Sequence, residues 1–144
     1  MNILCVCTGN ICRSPMLTFL LRGALEKEGI TDCTVSGAGI STVDDAPPSS
    51  HAITVMQEIG VDIADHRSRQ LTPDIVAQTD IFVPLSVEHG VTLAFHYGAD
   101  PERMVVPGAG IPDPYGQSLA TYRDCRDALV ESLPQLVADI RALL

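Results

Sequence analysis

The first forty residues alternate two short apolar runs with one helical segment, and this pattern constrains the fold more than any other feature of the chain. Residues 2–6 are an apolar run typical of a strand buried on both faces. Residues 15–28 carry apolar side chains at helical spacing, and Gly29 follows as the residue that ends the helix. Residues 33–36 resemble a second strand. The pattern predicts a βαβ unit with parallel strands and a right-handed crossover.

The remainder of the chain continues this alternation of helices and strands. Further helices are predicted at 47–59 before Gly60, in a short segment capped by Thr72 with Pro73 at its first position, after Ser86, and at 118–144. Pro134 is expected to kink or split the last of these helices. Further strands are predicted at 81–85 and 104–106. The sequence therefore predicts a single α/β domain over residues 1–144, with a four-stranded parallel sheet and helices on both faces.

The loop between the first strand and the first helix, from Cys7 to Ser14, carries groups suited to phosphate. It lies beyond the carboxyl end of a parallel strand, where open α/β sheets bind ligands. Gly9 and Asn10 tolerate positive φ, so successive N–H groups can turn inward as an anion nest, reinforced by the helix N-terminus. The thiol of Cys7 and the guanidinium of Arg13 then place a nucleophile and a phosphate clamp around one site. The helix end and the guanidinium also favour the reactive thiolate.

Two other interpretations of the cysteines are weaker. Cys7 could be a small packed residue at a strand end, but its spacing from Arg13 occurs together with the strand-loop-helix context and a glycine in the loop. Cys5, Cys7 and Cys12 could suggest zinc, but their spacing is unusual for zinc ligands and the guanidinium would repel the metal. The sequence therefore predicts no metal and no cofactor.

The net charge limits which partners the protein can bind, and the number of cysteines indicates the cellular compartment. Nine basic and eighteen acidic residues give a net charge of −9, which disfavours nucleic acid and anionic membranes as partners. No apolar stretch approaches the roughly 20 residues of a membrane span, and no secretory signal is visible. Five cysteines are an odd number for a disulfide framework. We therefore expect a cytoplasmic protein with reduced thiols.

The run from Cys7 to Pro15 resembles the phosphate-binding loop of the low-molecular-weight protein tyrosine phosphatases. Three further segments agree with that family in order, at 35–39 (Val-Ser-Gly-Ala-Gly), 66–72 (His-Arg-Ser-Arg-Gln-Leu-Thr) and 113–115 (Asp-Pro-Tyr). The resemblance covers the full length. It implies a Rossmann-like three-layer fold with a four-stranded parallel sheet, a phosphotyrosine-containing protein as the substrate, and inorganic phosphate or vanadate as an inhibitor.

The resemblance also implies roles for individual residues. Cys7 would attack phosphorus, Arg13 would bind the phosphoryl oxygens, and Asp113 would protonate the leaving oxygen and then activate water. Substrate binding is carried over to Thr8, Gly9, Asn10, Ile11, Cys12, Ser14 and Tyr115. Ser36 and His66 would support the loop together with Asn10 and Ser14. The residues alone could not single out Asp113 among the acidic residues, although prolines on both sides of it suggest a stiff setting.

Two of these residues have competing interpretations. Ser14 is also the natural N-cap before Pro15, a role that would leave its hydroxyl on the helix backbone. Cys12 could simply pack, but the resemblance suggests that it traps oxidised Cys7 as a reversible disulfide and so spares it from irreversible oxidation.

The sequence departs from the family pattern around the cleft. Residues 41–43 supply no aromatic wall, Tyr115 is followed by Gly116 instead of a second aromatic residue, and the third strand ends in Val-Pro-Leu-Ser at 83–86. The two missing aromatic residues predict a wider or less selective pocket, and the end of the third strand changes a position that supports the site in the family. Ile11 is a branched apolar residue, as in the tyrosine phosphatases, and it favours phosphotyrosine.

Three alternative functions remain open at this stage. A protein arginine phosphatase is the nearest, because residues 113–116 also resemble that branch, although arginine phosphatases carry threonine at the position of Ile11. A thiol-dependent arsenate reductase needs further cysteines near the third strand, and residues 79–100 contain none. A noncatalytic phosphate-binding module would be expected to lose Cys7, Arg13 or the acid.

Overall fold

A parallel sheet of three strands, in the order β2-β1-β3, organises the protein. The computed structural model describes residues 1–144. The strands are β1 (Asn2–Cys7), β2 (Thr34–Gly39) and β3 (Ile81–Pro84). The helices are α1 (Arg13–Lys27), α2 (Ser50–Gln57), α3 (Pro73–Ala77), α4 (Val87–Tyr97) and α5 (Leu119–Leu143), with a 3₁₀ turn at Pro101–Arg103. The α/β class and the N-terminal βαβ unit are confirmed.

The central strand β1 explains the apolar run at the start of the sequence. It pairs with β2 on one side and with β3 on the other, and residues 3–7 are buried. Because side chains alternate along a strand, Ile3, Cys5 and Cys7 join one apolar cluster with α1, α2 and α5, whereas Leu4 and Val6 join a second cluster that includes residues of α4. Helices therefore cover both faces of the sheet, and Cys7 ends the central strand.

The predicted fourth strand is wrong. Met104 makes only one isolated parallel bridge, with Phe82, and the Val105 N–H donates to the Phe82 carbonyl at 2.9 Å. Continuing this parallel ladder would require N–H donors at positions 84 and 107, and both are proline. Since proline has no N–H, the pairing stops after one bridge and the sheet has three strands.

Helix ends follow the sequence signals. Gly29 has φ +71°, and the N–H groups of Gly29 and Ile30 donate to the carbonyls of Glu26 and Leu25 at 3.0 and 2.9 Å, a Schellman motif at the end of α1. Side chains of Thr72, Ser86 and Ser118 cap α3, α4 and α5.

The predicted split of the last helix is wrong, because α5 runs unbroken from Leu119 to Leu143 across Pro134. The proline removes the hydrogen bond to the Val130 carbonyl. Pro134 and Val130 are both exposed, so water can satisfy that carbonyl and the helix continues. No helix of the protein combines the length and apolar character needed to cross a membrane.

Candidate active site

The loop from Thr8 to Cys12 leaves the end of β1 and enters α1 in close contact with β2. The Ile40 N–H donates to the Cys7 carbonyl at 2.9 Å. A Cβ at Gly39 would lie 2.7 Å from the Thr8 carbonyl oxygen, and a Cβ at Gly37 would lie 2.9 Å from Asn10 Nδ2. The two glycines of β2 therefore make the room that the loop occupies.

Cys7 has two hydrogen-bonding neighbours, one in the loop and one in α1. Its side chain is buried, its Sγ lies 2.9 Å from Ser14 Oγ, and the Asn10 N–H donates to it at 3.3 Å. Ser14 is the second residue of α1, and Cys12 occupies the N-cap position without a side-chain cap. The N-cap interpretation of Ser14 is therefore wrong, and its hydroxyl contacts the sulfur instead.

Asn10 holds the loop in its bent conformation. Its φ of 56° lies in the left-handed region, which asparagine tolerates better than most residues. Its Nδ2 donates to Ser14 Oγ at 2.7 Å, and its Oδ1 accepts the Arg69 N–H at 3.1 Å. Its carbonyl oxygen lies 2.8 Å from His66 Nε2. These contacts connect the loop to the segment 66–69 and hold the Asn10 carbonyl oxygen beside His66.

Arg13 reaches across the site toward a loop that precedes α5. Its Nη1 donates to the Ile111 carbonyl at 2.9 Å, and its Nη2 lies 3.5 Å from Asp113 Oδ2. Its Nε is buried and has no hydrogen-bond partner. An unpaired buried guanidinium N–H is costly, so this atom fits a site whose acceptor is a bound anion.

These groups surround a cavity of about 270 Å³. Its walls are formed by the loop, by the segment after β2 and by the segment before α5: Cys7, Thr8, Gly9, Ile11, Cys12, Arg13, Ser41, Thr42, Asp113 and Tyr115. Most of the predicted substrate-binding residues therefore meet in one place. Asn10 and Ser14 are fully buried beneath it.

The two predicted supporting residues differ in how they reach the loop. His66 contacts Asn10 directly, and burial lowers the pKa of its imidazole, with the charges of Arg22 and Arg67 acting in the same direction. Ser36 does not contact the loop. Its Oγ accepts from Arg69 Nη2 at 3.0 Å, so its connection to Asn10 passes through the arginine.

Cys12 lines the cavity, and its thiol lies close to two hydroxyl groups. Its Sγ lies 3.3 Å from the Tyr122 hydroxyl and 3.5 Å from Ser49 Oγ. Burial raises the pKa of the Cys12 thiol, and burial together with the contact to Cys12 raises the pKa of Tyr122 to about 12. The thiol of Cys12 is therefore held in its protonated form.

The wall opposite the loop is open. Tyr115 is 65% exposed, and Ser41 and Thr42 supply polar atoms where the sequence lacks an aromatic residue. Ile11 is half-buried on the rim. The cavity thus has one apolar residue and one aromatic residue at its mouth.

One residue beside the site carried no signal in the sequence. His89 is buried on α4, and its Nε2 lies 2.9 Å from Thr8 Oγ1. Its Nδ1 lies 2.8 Å from Ser86 Oγ, which also caps the helix. The capping serine could be predicted, but the contact joins residues far apart in the chain, so no local spacing could find it.

The family model for low molecular weight phosphotyrosine protein phosphatase matches residues 2–143. The chain belongs to this family. The resemblance noted in the sequence is therefore confirmed, and the enzyme class of the family is that of a hydrolase.

Relatives named for two different activities are similar to this protein over nearly the whole chain. The protein-arginine-phosphatase of Bacillus subtilis strain 168 is 30% identical and covers 98% of this chain and 97% of its own length. The probable low molecular weight protein-tyrosine-phosphatase EpsP of Ralstonia nicotianae is 31% identical and covers 99% and 97%. Sequence identity alone therefore does not separate the two activities.

Solved structures agree with this family assignment. A YwlE arginine phosphatase mutant with a phosphorylated active-site serine has a TM-score of 0.89 at 28% identity and covers 98% of this chain and 96% of its own. The Vibrio vulnificus Wzb protein in complex with benzylphosphonate has a TM-score of 0.86 at 29% identity and covers 95% and 97%. A phosphoryl group on an active-site side chain is thus observed on a similar fold.

Proposed function

We propose that this protein hydrolyses phosphotyrosine in proteins through a phosphocysteine intermediate on Cys7, with Arg13 as the phosphoryl clamp and Asp113 as the general acid and base. One observation carries the proposal. The buried thiol lines a cavity together with an arginine whose buried Nε has no hydrogen-bond partner, and a carboxylate of the same cavity lies 3.5 Å from that guanidinium. A nucleophile, an anion clamp and a proton donor are therefore within reach of one phosphate.

In the first step, the thiolate of Cys7 attacks phosphorus and the bond from phosphorus to the phenolic oxygen breaks. Asp113 gives its proton to that oxygen, so the tyrosine leaves as a neutral phenol. Arg13 and the inward N–H groups of the loop stabilise the charge that spreads over the phosphoryl oxygens. The Asn10 N–H donates to the sulfur at 3.3 Å and the Ser14 hydroxyl lies 2.9 Å from it, so both groups can stabilise negative charge on the attacking atom.

In the second step, water attacks the phosphocysteine. Asp113, now a carboxylate, takes a proton from the water, and inorganic phosphate is released. The sulfur leaves as a thiolate, which the Ser14 hydroxyl again stabilises at 2.9 Å. Phosphate and vanadate should inhibit because they occupy the same loop.

The rim of the cavity supports an aromatic phosphoester. A phosphotyrosine ring can pack against Ile11 and Tyr115, both of which line the cavity. At ~25 cal/mol per Å², the buried apolar area contributes on the order of 1 kcal/mol. Because Thr42 replaces an aromatic wall, we expect modest affinity for free phosphotyrosine and a larger contribution from the flanking peptide.

Phosphoarginine is the second candidate substrate, since an arginine phosphatase is among the similar proteins. The test measures kcat/KM for phosphotyrosine and phosphoarginine peptides of matched sequence, with wild type beside Ile11→Thr. Wild type should prefer phosphotyrosine, and Ile11→Thr should shift the ratio toward phosphoarginine. Val43→Thr makes the same chemical change at an exposed position outside the cavity and should leave the ratio unchanged.

A wild-type preference for phosphoarginine would assign the chain to the other activity. An unchanged ratio in Ile11→Thr would show that the rim residue does not select the substrate.

We also propose that residues 1–144 act as one domain in the cytoplasm without metal or cofactor, and without nucleic acid or membrane as a partner. The support is chemical. All five cysteines are free thiols, the reactive one included, and a reducing compartment keeps them so.

A further inference from the structure

A chain of three hydrogen-bonding groups leads from the start of α4 to the catalytic cavity. Ser86 Oγ lies 2.8 Å from His89 Nδ1, and His89 Nε2 lies 2.9 Å from Thr8 Oγ1. Thr8 lines the catalytic cavity and also an adjoining cleft, whereas His89 lines only the cleft. The imidazole therefore approaches the threonine from outside the cavity.

The imidazole of His89 is neutral under ordinary conditions. It is only 7% exposed, and burial lowers its pKa to about 4, with the positive charge of Arg13 acting in the same direction and Asp113 opposing it. A neutral imidazole has one N–H donor and one acceptor nitrogen. One of its two ring nitrogens must therefore donate a hydrogen bond, and the other must accept one.

The helix cap favours the tautomer of His89 that carries its proton on Nε2. Ser86 Oγ accepts the His89 backbone N–H at 3.3 Å with one of its two lone pairs, an arrangement that lets its single hydrogen point to Nδ1. Nδ1 is then the acceptor, and Nε2 carries the proton. The Nε2 N–H donates to Thr8 Oγ1, which leaves the hydrogen of Thr8 free to point elsewhere.

We propose that His89 is a positioning residue that turns the Thr8 hydroxyl so that it donates its hydrogen to a phosphoryl oxygen bound in the catalytic cavity. This inference rests on the proposed function, because it requires a phosphoryl group in that cavity. Thr8 then adds a side-chain donor to the backbone N–H groups and Arg13. His89 itself does not touch the substrate.

The experiment measures the affinity for inorganic phosphate by calorimetry in the Cys7→Ser protein, where no turnover interferes. Adding Thr8→Val, which keeps the shape and removes the hydroxyl, should weaken phosphate binding about tenfold, as expected for a hydrogen bond to a charged group. Adding His89→Leu should have a similar effect. The double substitution should be no weaker than Thr8→Val alone, because both changes remove the same hydrogen bond.

Matched variants separate positioning from packing. His89→Gln can present an amide N–H near the position of Nε2 and should recover much of the affinity that His89→Leu loses. His96→Leu makes the same substitution at an exposed histidine of α4 and should bind phosphate as the parent does. Additive losses in the double variant, or no recovery with glutamine, would assign His89 to packing and overturn the inference.

If His89→Leu fails to fold, variants of Thr8 still test the proposal. Thr8→Val and Thr8→Ser both leave the histidine in place, and only the serine variant retains a hydroxyl. Equal phosphate affinities for these two variants would overturn the inference. Turnover of phosphotyrosine by the protein with Cys7 intact tests the proposed function separately, so the two failures are distinguishable.

Discussion

Arg13 and Asp113 meet at the mouth of the cavity, with Nη2 of the arginine 3.5 Å from Oδ2 of the aspartate. The two side chains differ sharply in solvent contact, because that of Arg13 is 6% exposed and that of Asp113 is 48% exposed. The guanidinium is thus a fixed charge, and the carboxyl can exchange protons with water. When a phosphate dianion binds, it competes with the carboxylate of Asp113 for the guanidinium.

Replacing the aspartate tests its role as the acid. Asp113→Asn should lower kcat/KM for phosphotyrosine about 10²- to 10⁴-fold, because kcat/KM reports the first step and the phenolate then leaves without a proton. An activated aryl phosphate, which needs no proton to leave, should lose less. Asp124→Asn changes an exposed aspartate of α5 and should leave both rates unchanged. Equal losses on the two substrates would mean that another group is the acid.

The second cysteine of the cavity predicts reversible inactivation by peroxide. Hydrogen peroxide oxidises the Cys7 thiolate to a sulfenic acid, and the Cys12 thiol can displace water from it to form a disulfide. Activity should return on reduction in wild type and return less in Cys12→Ser. Because burial raises the pKa of Cys12, the trapping step should become faster with rising pH.

Peptide mapping identifies the pair, and Cys33→Ser, which changes a cysteine outside the cavity, should recover as wild type does. Cys7 joined to any other cysteine would contradict the assignment of Cys12.

Burial of His89 predicts a stability that depends on pH. The unfolded chain takes up the histidine proton near pH 6.5, whereas the folded protein does so only near pH 4. As the pH falls below about 6.5, the unfolded state therefore binds more protons and the free energy of unfolding decreases. His66, whose pKa is also lowered, acts in the same direction.

The measurement is urea unfolding of wild type and His89→Leu between about pH 7 and about pH 5. Wild type should lose more stability over this interval than His89→Leu, whereas His96→Leu should follow wild type. Parallel losses in wild type and His89→Leu would show that His89 titrates alike in both states.

Local sequence signals predicted the elements that carry the chemistry. The strand-loop-helix unit with Cys7 and Arg13 could be predicted because its parts are close in sequence. Its strand, loop and helix each have a local sequence pattern that favours their conformation. The cavity contact of Asp113 could be expected only from the family resemblance, since nothing local separates it from other acidic residues. Ser86 was visible as a cap, but its link to Thr8 through His89 depends on how α4 packs.

The error in strand number has a physical cause that the sequence contains. Residues 104–106 have the apolar character of a strand, yet proline at positions 84 and 107 removes both donors that would extend the pairing. Apolar character is judged on one segment at a time, whereas a ladder of hydrogen bonds needs backbone N–H donors on both of the paired strands. Pro134 gives the opposite case, because its exposed position lets α5 continue past a residue that normally interrupts a helix.

The phosphocysteine is the central claim, and rapid-quench mass spectrometry tests it most directly. The protein is mixed with an activated aryl phosphate and quenched within the first turnover. Asp113→Asn is used beside wild type because loss of the base slows hydrolysis of the intermediate. We expect a phosphoryl group on the peptide that contains Cys7, its accumulation in Asp113→Asn, and no turnover by Cys7→Ser. Turnover by Cys7→Ser, or phosphate release without a phosphorylated Cys7 peptide in either protein, would contradict the account.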